Sequence, residues 1–189
     1  MKPQHELEYL QGFIKLTEQQ AIKRDALESF LEDRGKVLLL DADSILYKVC
    51  HHHADKETSL EDKYEDFHAQ VRAIANKIED DGFNVEDIIY FFTTCTNNFR
   101  NEIYPEYKAN RKDDPIRKAV KALKTYCIGG LQWDYTGVYY SDTHEADDLI
   151  PGYVEDLVNI EDFIVCSIDK DLKQIPGAHF DYYKQKTGE

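Results

Sequence analysis

Carboxylates are the residues in this sequence whose spacing could do chemistry. Asp41 follows the apolar run Val37-Leu38-Leu39-Leu40 directly and is itself followed, two residues on, by Asp43. Asp169 closes a second apolar segment, with Asp171 two residues further. Between them lies Glu145-Ala146-Asp147-Asp148. Each cluster has a structural reading in isolation: an aspartate at a strand end can cap the next helix, and acidic residues in a helix's first turn complement its macrodipole. Taken together they carry more weight, because several carboxylates converging on one edge would repel strongly unless a cation neutralised them. Hard oxygen donors select Mg²⁺ or Mn²⁺. Two such ions about 4 Å apart can activate water and stabilise the leaving oxygen of a phosphodiester.

The elements that must position these groups follow from periodicity. Continuous apolar segments at Val37–Leu40, Ile88–Thr93 and Asp162–Ile168 read as buried parallel strands. Phe67, Val71, Ile74 and Ile78 recur at helical spacing between Tyr64 and Glu79. Pro115 opens another helix at its favoured first position. The alternation predicts an α/β fold, a central and mainly parallel sheet flanked by helices. Ligands of such sheets bind beyond the carboxyl ends of the strands, where Asp41 and Asp169 stand. Residues 1–35, with apolar positions at helical spacing, read as an N-terminal helical extension, and 36–189 as the core domain. Pro151-Gly152 predicts a kink or early stop in the helix that starts near Glu145.

Composition bounds the rest. A chain of 189 residues, 42% hydrophobic, can bury a core. No apolar run approaches the roughly 18 residues of a membrane span, and no secretory signal opens the chain, so a cytoplasmic protein is expected (host cytoplasm, were the source viral). Cys50, Cys95, Cys127 and Cys166 are scattered singly and read as reduced. The triplet His51-His52-His53 offers imidazoles, but consecutive helical residues point different ways, so it reads as a solvated helix end. A net charge of −14 argues against a nucleic-acid partner until its distribution is considered. Between Arg100 and Lys124 eight basic residues stand against four acidic ones, and a patch of one sign can steer a ligand despite the opposite total.

The segments LLLDADS, FRNEIYPEYKANRK, EADDL and SIDKDLKQIPG occur in the order and approximate spacing of the hallmark segments of flap endonucleases and bacteriophage 5′→3′ exonucleases. The chain resembles that family over residues 36 to 183. The resemblance implies a PIN-like nuclease core with Asp41, Glu145, Asp147, Asp148, Asp169 and Asp171 binding two catalytic Mg²⁺ or Mn²⁺ ions. It carries over no role for Asp43. It implies that Lys108 and Arg111 contact the scissile phosphate and that Tyr107 stacks near an unpaired end. It further implies that 99–124 forms an arch segment lined by Arg100, Lys112, Arg117, Lys118, Lys121 and Lys124. The partner would be DNA with a free 5′ end or flap, or an RNA-DNA hybrid. The family pattern departs in two places. No carboxylate follows the second strand, which ends Thr93-Thr94. The sequence also stops before the family's helical clasp for duplex, which a separate chain or the remainder of a longer native protein could supply. Two other readings compete: a catalytically reduced nuclease-fold module that recruits nucleic acid or a protein, and a phosphatase of the haloacid-dehalogenase type using Asp41 covalently.

Overall fold

The computed structural model describes residues 35–94, 98–107, 114–134, 137–155 and 162–188. The expected N-terminal helical extension, the stretch holding Lys108, Arg111 and Lys112, and Cys95 lie outside these residues. The elements are β1 (Lys36–Asp41), α1 (Ala42–His52), α2 (Leu60–Asp80), β2 (Val85–Thr93), α3 (Phe99–Ile103), α4 (Pro115–Asp134), β3 (Val138–Ser141), α5 (Ala146–Glu155), β4 (Phe163–Cys166), a 3₁₀ turn (Asp171–Gln174), β5 (Ala178–Asp181) and β6 (Lys186–Gly188).

The strands form one sheet in the order β3-β2-β1-β4-β5-β6. All neighbouring pairs are parallel except β5 and β6. The mainly parallel α/β class expected from the sequence is therefore the observed one. Successive side chains of a strand point to opposite faces, and the triplet Leu38-Leu39-Leu40 divides accordingly. Leu38 and Leu40 join Ile45, Phe67, Val71 and Leu123 beneath α1, α2 and α4. Leu39 joins Phe91, Ile150 and Val165 under α5. Both faces are covered, which is why these strands read as unbroken apolar runs.

Local signals set the helix ends. Ser59 and Asp62 form a capping box that starts α2 four residues before Tyr64. Gly82, at φ 95°, takes the left-handed turn after α2 that other residues resist. Asp114 accepts from the amide of Arg117 at 2.8 Å to start α4 at Pro115. Helix α5 runs through Pro151 to Glu155 instead of stopping there. Proline removes one intrahelical donor, and the burial of Ala146 and Ile150 against the sheet offsets that loss. Strand β4 ends at Cys166, so Asp169 sits three residues into the following loop, not at the strand end as the apolar run suggested.

Chain connections leave β1 for β2 on one side, while β4 lies on β1's other side and leads outward to β5. The reversal opens a crevice at the carboxyl ends of β1 and β4. Among the described residues no helix is long and apolar enough to cross a membrane.

Candidate metal centre

Asp41 ends β1 at this crevice and occupies the N-cap position of α1, yet its side chain makes no capping hydrogen bond. Its Oδ2 instead accepts from Ser167 Oγ, across the gap to β4, at 2.9 Å. Simple capping, the bland reading of Asp41, therefore loses its support. The same Ser167 oxygen accepts from the amide of Asp169 at 3.0 Å, so one buried serine links the end of β1 to the acidic loop after β4. Burial, and next to it the charge of Asp43, pushes the Asp41 carboxyl up to about 7. Burial disfavours the charged form, and a neighbouring like charge adds to the effect.

Asp41, Asp43, Glu145, Asp147 and Asp169 line one cleft of about 440 Å³, together with Thr93, Thr94, Arg117, Lys121 and Lys124. Glu145 is buried. Its Oε1 accepts from Asn98 Nδ2 at 3.0 Å and its Oε2 from the Tyr107 hydroxyl at 3.2 Å. Asp147 Oδ1 is buried as well. Five carboxylates with hard oxygen donors, held by neighbours and sharing one cleft, fit divalent cations of the Mg²⁺ or Mn²⁺ kind. On this geometry Asp41, Asp43, Glu145, Asp147 and Asp169 would hold them.

Four of the six expected metal ligands therefore come together, and two are placed differently. Asp148 faces Arg100 in a two-pronged pair with both N···O distances at 2.6 Å, and its Oδ2 also accepts from the Glu145 amide at 3.0 Å. This is the reach-back half of a capping box. Burial pushes the Asp148 carboxyl up, but the Arg100 fork and the Glu145 amide outweigh it, and the net position is below the usual range. Asp171 is exposed, opens the 3₁₀ turn, and donates its amide to Asp169 Oδ1 at 2.9 Å. Neither residue lines the cleft.

Asp43, given no role from the sequence, does line it. Its carboxylate lies 2.7 Å from Lys124 Nζ and accepts from the Thr93 amide at 3.3 Å. Lys124 Nζ also donates to the Thr93 carbonyl at 2.6 Å. A lysine thus occupies the corner where β2 supplies threonines instead of a carboxylate. The D-x-D spacing was the available signal: it sets Asp43 in α1's first turn, at the same sheet edge as Asp41.

The basic residues also divide. Arg100 pairs with Asp148, sits 4.0 Å from Glu145 Oε2, and stacks over Phe99 and Tyr107. Its guanidinium is thus engaged internally in this structure. Tyr107, expected to stack near an unpaired end, is half-buried with its hydroxyl on Glu145. Residues 115–124, expected as part of the arch, belong to α4, whose Val120, Leu123, Cys127 and Leu131 are buried in the core. Only one face of that helix, through Arg117, Lys121 and Lys124, borders the cleft. Lys118 is exposed and outside it.

Residues 36–189 match the family described as 5′-3′ exonuclease, N-terminal resolvase-like domain. Among solved structures the chain is similar to the T5 D15 protein, crystallised with metal ions, at a TM-score of 0.59 and 16% identity. That match covers 80% of this chain and 57% of the T5 protein, so this chain spans little more than half of its length. At such identity the likeness shows a shared fold. With the family matched from the first strand onward, the chain belongs to the 5′-3′ exonucleases and carries their N-terminal, resolvase-like domain.

Proposed function

We propose that this chain is a divalent-metal-dependent 5′→3′ exonuclease and 5′-flap endonuclease that hydrolyses phosphodiester bonds in DNA, with RNA-DNA hybrids as a second substrate. The observation that carries the reading is the cleft itself: five carboxylates at the β1/β4 crevice, bordered by the basic face of α4. Divalent ions bound there would supply Lewis-acid activation of water and neutralise phosphate charge. The chain's own groups have separate tasks. Asp41, Asp43, Glu145, Asp147 and Asp169 bind the ions. Ser167 orients Asp41 and Asp169, and Asn98 and Tyr107 orient Glu145. Arg100 and Asp148 position the start of α5, which carries Asp147. Arg117 and Lys121 attract the phosphate backbone, and Lys108 with Arg111 assists at the scissile phosphate, where Arg forks onto phosphate and Lys supplies a point charge.

The test is cleavage of an end-labelled 5′-flap duplex with Mg²⁺ or Mn²⁺. Product is expected from wild type and not from Asp147→Ala or from wild type in EDTA. A specific observation favours one competitor, a nuclease-fold module with reduced activity: Lys124 holds the Asp43 corner where β2 lacks a carboxylate. Flap binding without cleavage, equal in wild type and Asp147→Ala, would establish that reading and overturn ours.

A further inference from the structure

The opposite end of α1 carries a cluster that the cleft does not use. Asp66 Oδ2 lies 3.3 Å from His52 Nδ1 and 3.0 Å from His53 Nε2. All three atoms fall within 4.8 Å of one another. Consecutive helical residues would point apart, but His53 has left the helix: it is the C-cap, at φ −101° and ψ 10°, and its ring comes to 4.8 Å from that of His52. The side chain of His53 is only 12% exposed, so the solvated helix end expected for this triplet does not hold for His53.

We propose that His52, His53 and Asp66 form a binding site for a transition-metal ion of the Zn²⁺, Co²⁺ or Ni²⁺ class, separate from the carboxylate cleft. A tetrahedral ion with bonds of about 2.1 Å separates its ligand atoms by roughly 3.4 Å. The two Asp–His edges already stand near that spacing, and only the His–His edge has to close. Because His52 is 58% exposed, its ring has room to turn inward and a fourth position stays open to solvent. The surrounding contacts are those that orient metal ligands. The other nitrogen of His53, Nδ1, meets Thr58 Oγ1 at 3.1 Å, and the other oxygen of Asp66, Oδ1, accepts from Gln70 Nε2 at 3.3 Å. Such partners fix the ring tautomer and the carboxylate plane. Facing the carboxylate, Nε2–H donates to Asp66 and Nδ1 accepts from the Thr58 hydroxyl; an ion would take the place of the Nε2 proton, with Nδ1–H then donating to Thr58. Imidazole nitrogen selects this metal class over Mg²⁺, which prefers oxygen. None of the three residues lines the cleft, and α1 at about 1.5 Å per residue sets the two ends roughly 15 Å apart. An ion here would tie the end of α1 to α2, and so brace from behind the helix whose first residues carry the cleft's acids.

The experiment is a Co²⁺ titration of the metal-free full chain in excess Mg²⁺, followed by visible absorption, with Zn²⁺ as competitor. One equivalent should bind with the intense bands of tetrahedral nitrogen–oxygen coordination. The bands should persist in Asp147→Ala, vanish in His53→Ala and Asp66→Asn, and weaken in His52→Ala, whose exposed position leaves the fold intact. Thr58→Ala should lower the affinity roughly tenfold. Far-UV circular dichroism confirms that the variants fold. Only the weak spectrum of octahedral Co²⁺, or bands that are lost in Asp147→Ala and kept in His52→Ala, would overturn the site. Neither result bears on flap cleavage, so this inference and the nuclease reading can fail separately.

Discussion

Replacing Lys124 by methionine keeps the apolar stem and removes the ammonium that bridges Asp43 and the Thr93 carbonyl at 2.7 and 2.6 Å. The lysine and aspartate side chains are 13% and 22% exposed, so the pair is mostly shielded from water. Opposite unit charges 4 Å apart interact by about 4 kcal/mol at an effective dielectric of 20. Removing one partner of a buried pair costs about 3 to 5 kcal/mol because the other charge is stranded. Partial exposure places Lys124→Met at the lower edge, about 2 to 3 kcal/mol in EDTA. Freed of its competing lysine, the Asp43 carboxylate would then be a stronger ligand, and one repelling charge would be gone from the cleft. Mn²⁺ should bind at least tenfold tighter, about 1.4 kcal/mol, and should return most of the lost stability by binding only the folded state. The assay is thermal melting with and without Mn²⁺, paired with calorimetric titration of Mn²⁺ into both proteins. Lys124→Arg, which keeps the charge, should not gain affinity. Equal destabilisation with and without Mn²⁺, at unchanged Mn²⁺ affinity, would show Lys124 to be a clamp between α4 and β2 and would refute its role as the cleft's resident cation.

Asp41→Asn should stabilise the metal-free protein. The folded carboxyl is raised from 3.8 to about 7, so folding opposes ionisation; the penalty is absent below pH 4, grows between pH 4 and 7, and levels off above, at no more than about 4 kcal/mol. Melting temperatures of wild type and variant across that window should diverge, and parallel curves would refute the burial argument. Arg100→Lys should cost about 2 kcal/mol in urea denaturation, because a lysine cannot reproduce the two-pronged contact to Asp148; an unchanged midpoint would show that pair to be idle. Arg117→Ala with Lys121→Ala should flatten the dependence of log K on log salt by about 0.7 to 0.9 per lost phosphate contact. Lys108→Ala should instead reduce cleavage more than affinity, since a role at the scissile phosphate is greatest in the transition state, and equal losses would reduce it to a tether.

What was legible in the sequence depended on range. Leu38 to Leu40 announced a buried strand, and Asp41 its end at the cleft, because both faces of a parallel sheet are covered and the run is uninterrupted. The strands β3, β5 and β6 were missed: they are three or four residues long, and β3 leaves Tyr139 and Tyr140 exposed, so none offers a continuous apolar signal. The motif EADDL pointed to one cluster but contains two tasks. Asp147 lines the cleft, whereas Asp148, three residues after Glu145, has the spacing of a capping box and turns to Arg100. That signal was present and was outweighed by the family pattern. The pairing of Asp43 with Lys124 spans 81 positions in sequence and arises only when α4 packs across α1, which no local pattern encodes. The same holds for His53 and Asp66, brought together by the turn between α1 and α2.

Charge in the cleft leads to a final prediction. Five carboxylates face three basic side chains there, within a chain of net charge −14. With the Asp41 carboxyl pushed up to about 7, a polyanion approaching the metal-free cleft near neutral pH meets a local excess of about one to two negative charges, and Debye screening over roughly 8 Å does not remove a repulsion at contact. Two divalent ions would reverse the local sign by four charges, turning the cleft from repelling phosphate to attracting it. Substrate affinity should therefore depend on metal before any bond is broken. Ca²⁺ tests this cleanly, since it takes carboxylate oxygens at lower geometric demand than Mg²⁺ and is a weaker Lewis acid. Flap-DNA binding, followed by fluorescence anisotropy at fixed ionic strength, should tighten on adding Ca²⁺ to wild type and respond far less in the double variant Asp147→Ala, Asp169→Ala. That double variant, having lost two of the five negative charges, should also bind DNA better than wild type in EDTA. If Ca²⁺ leaves wild-type affinity unchanged, phosphate is held by residues remote from the carboxylates, and the cleft does not lie on the path of the substrate.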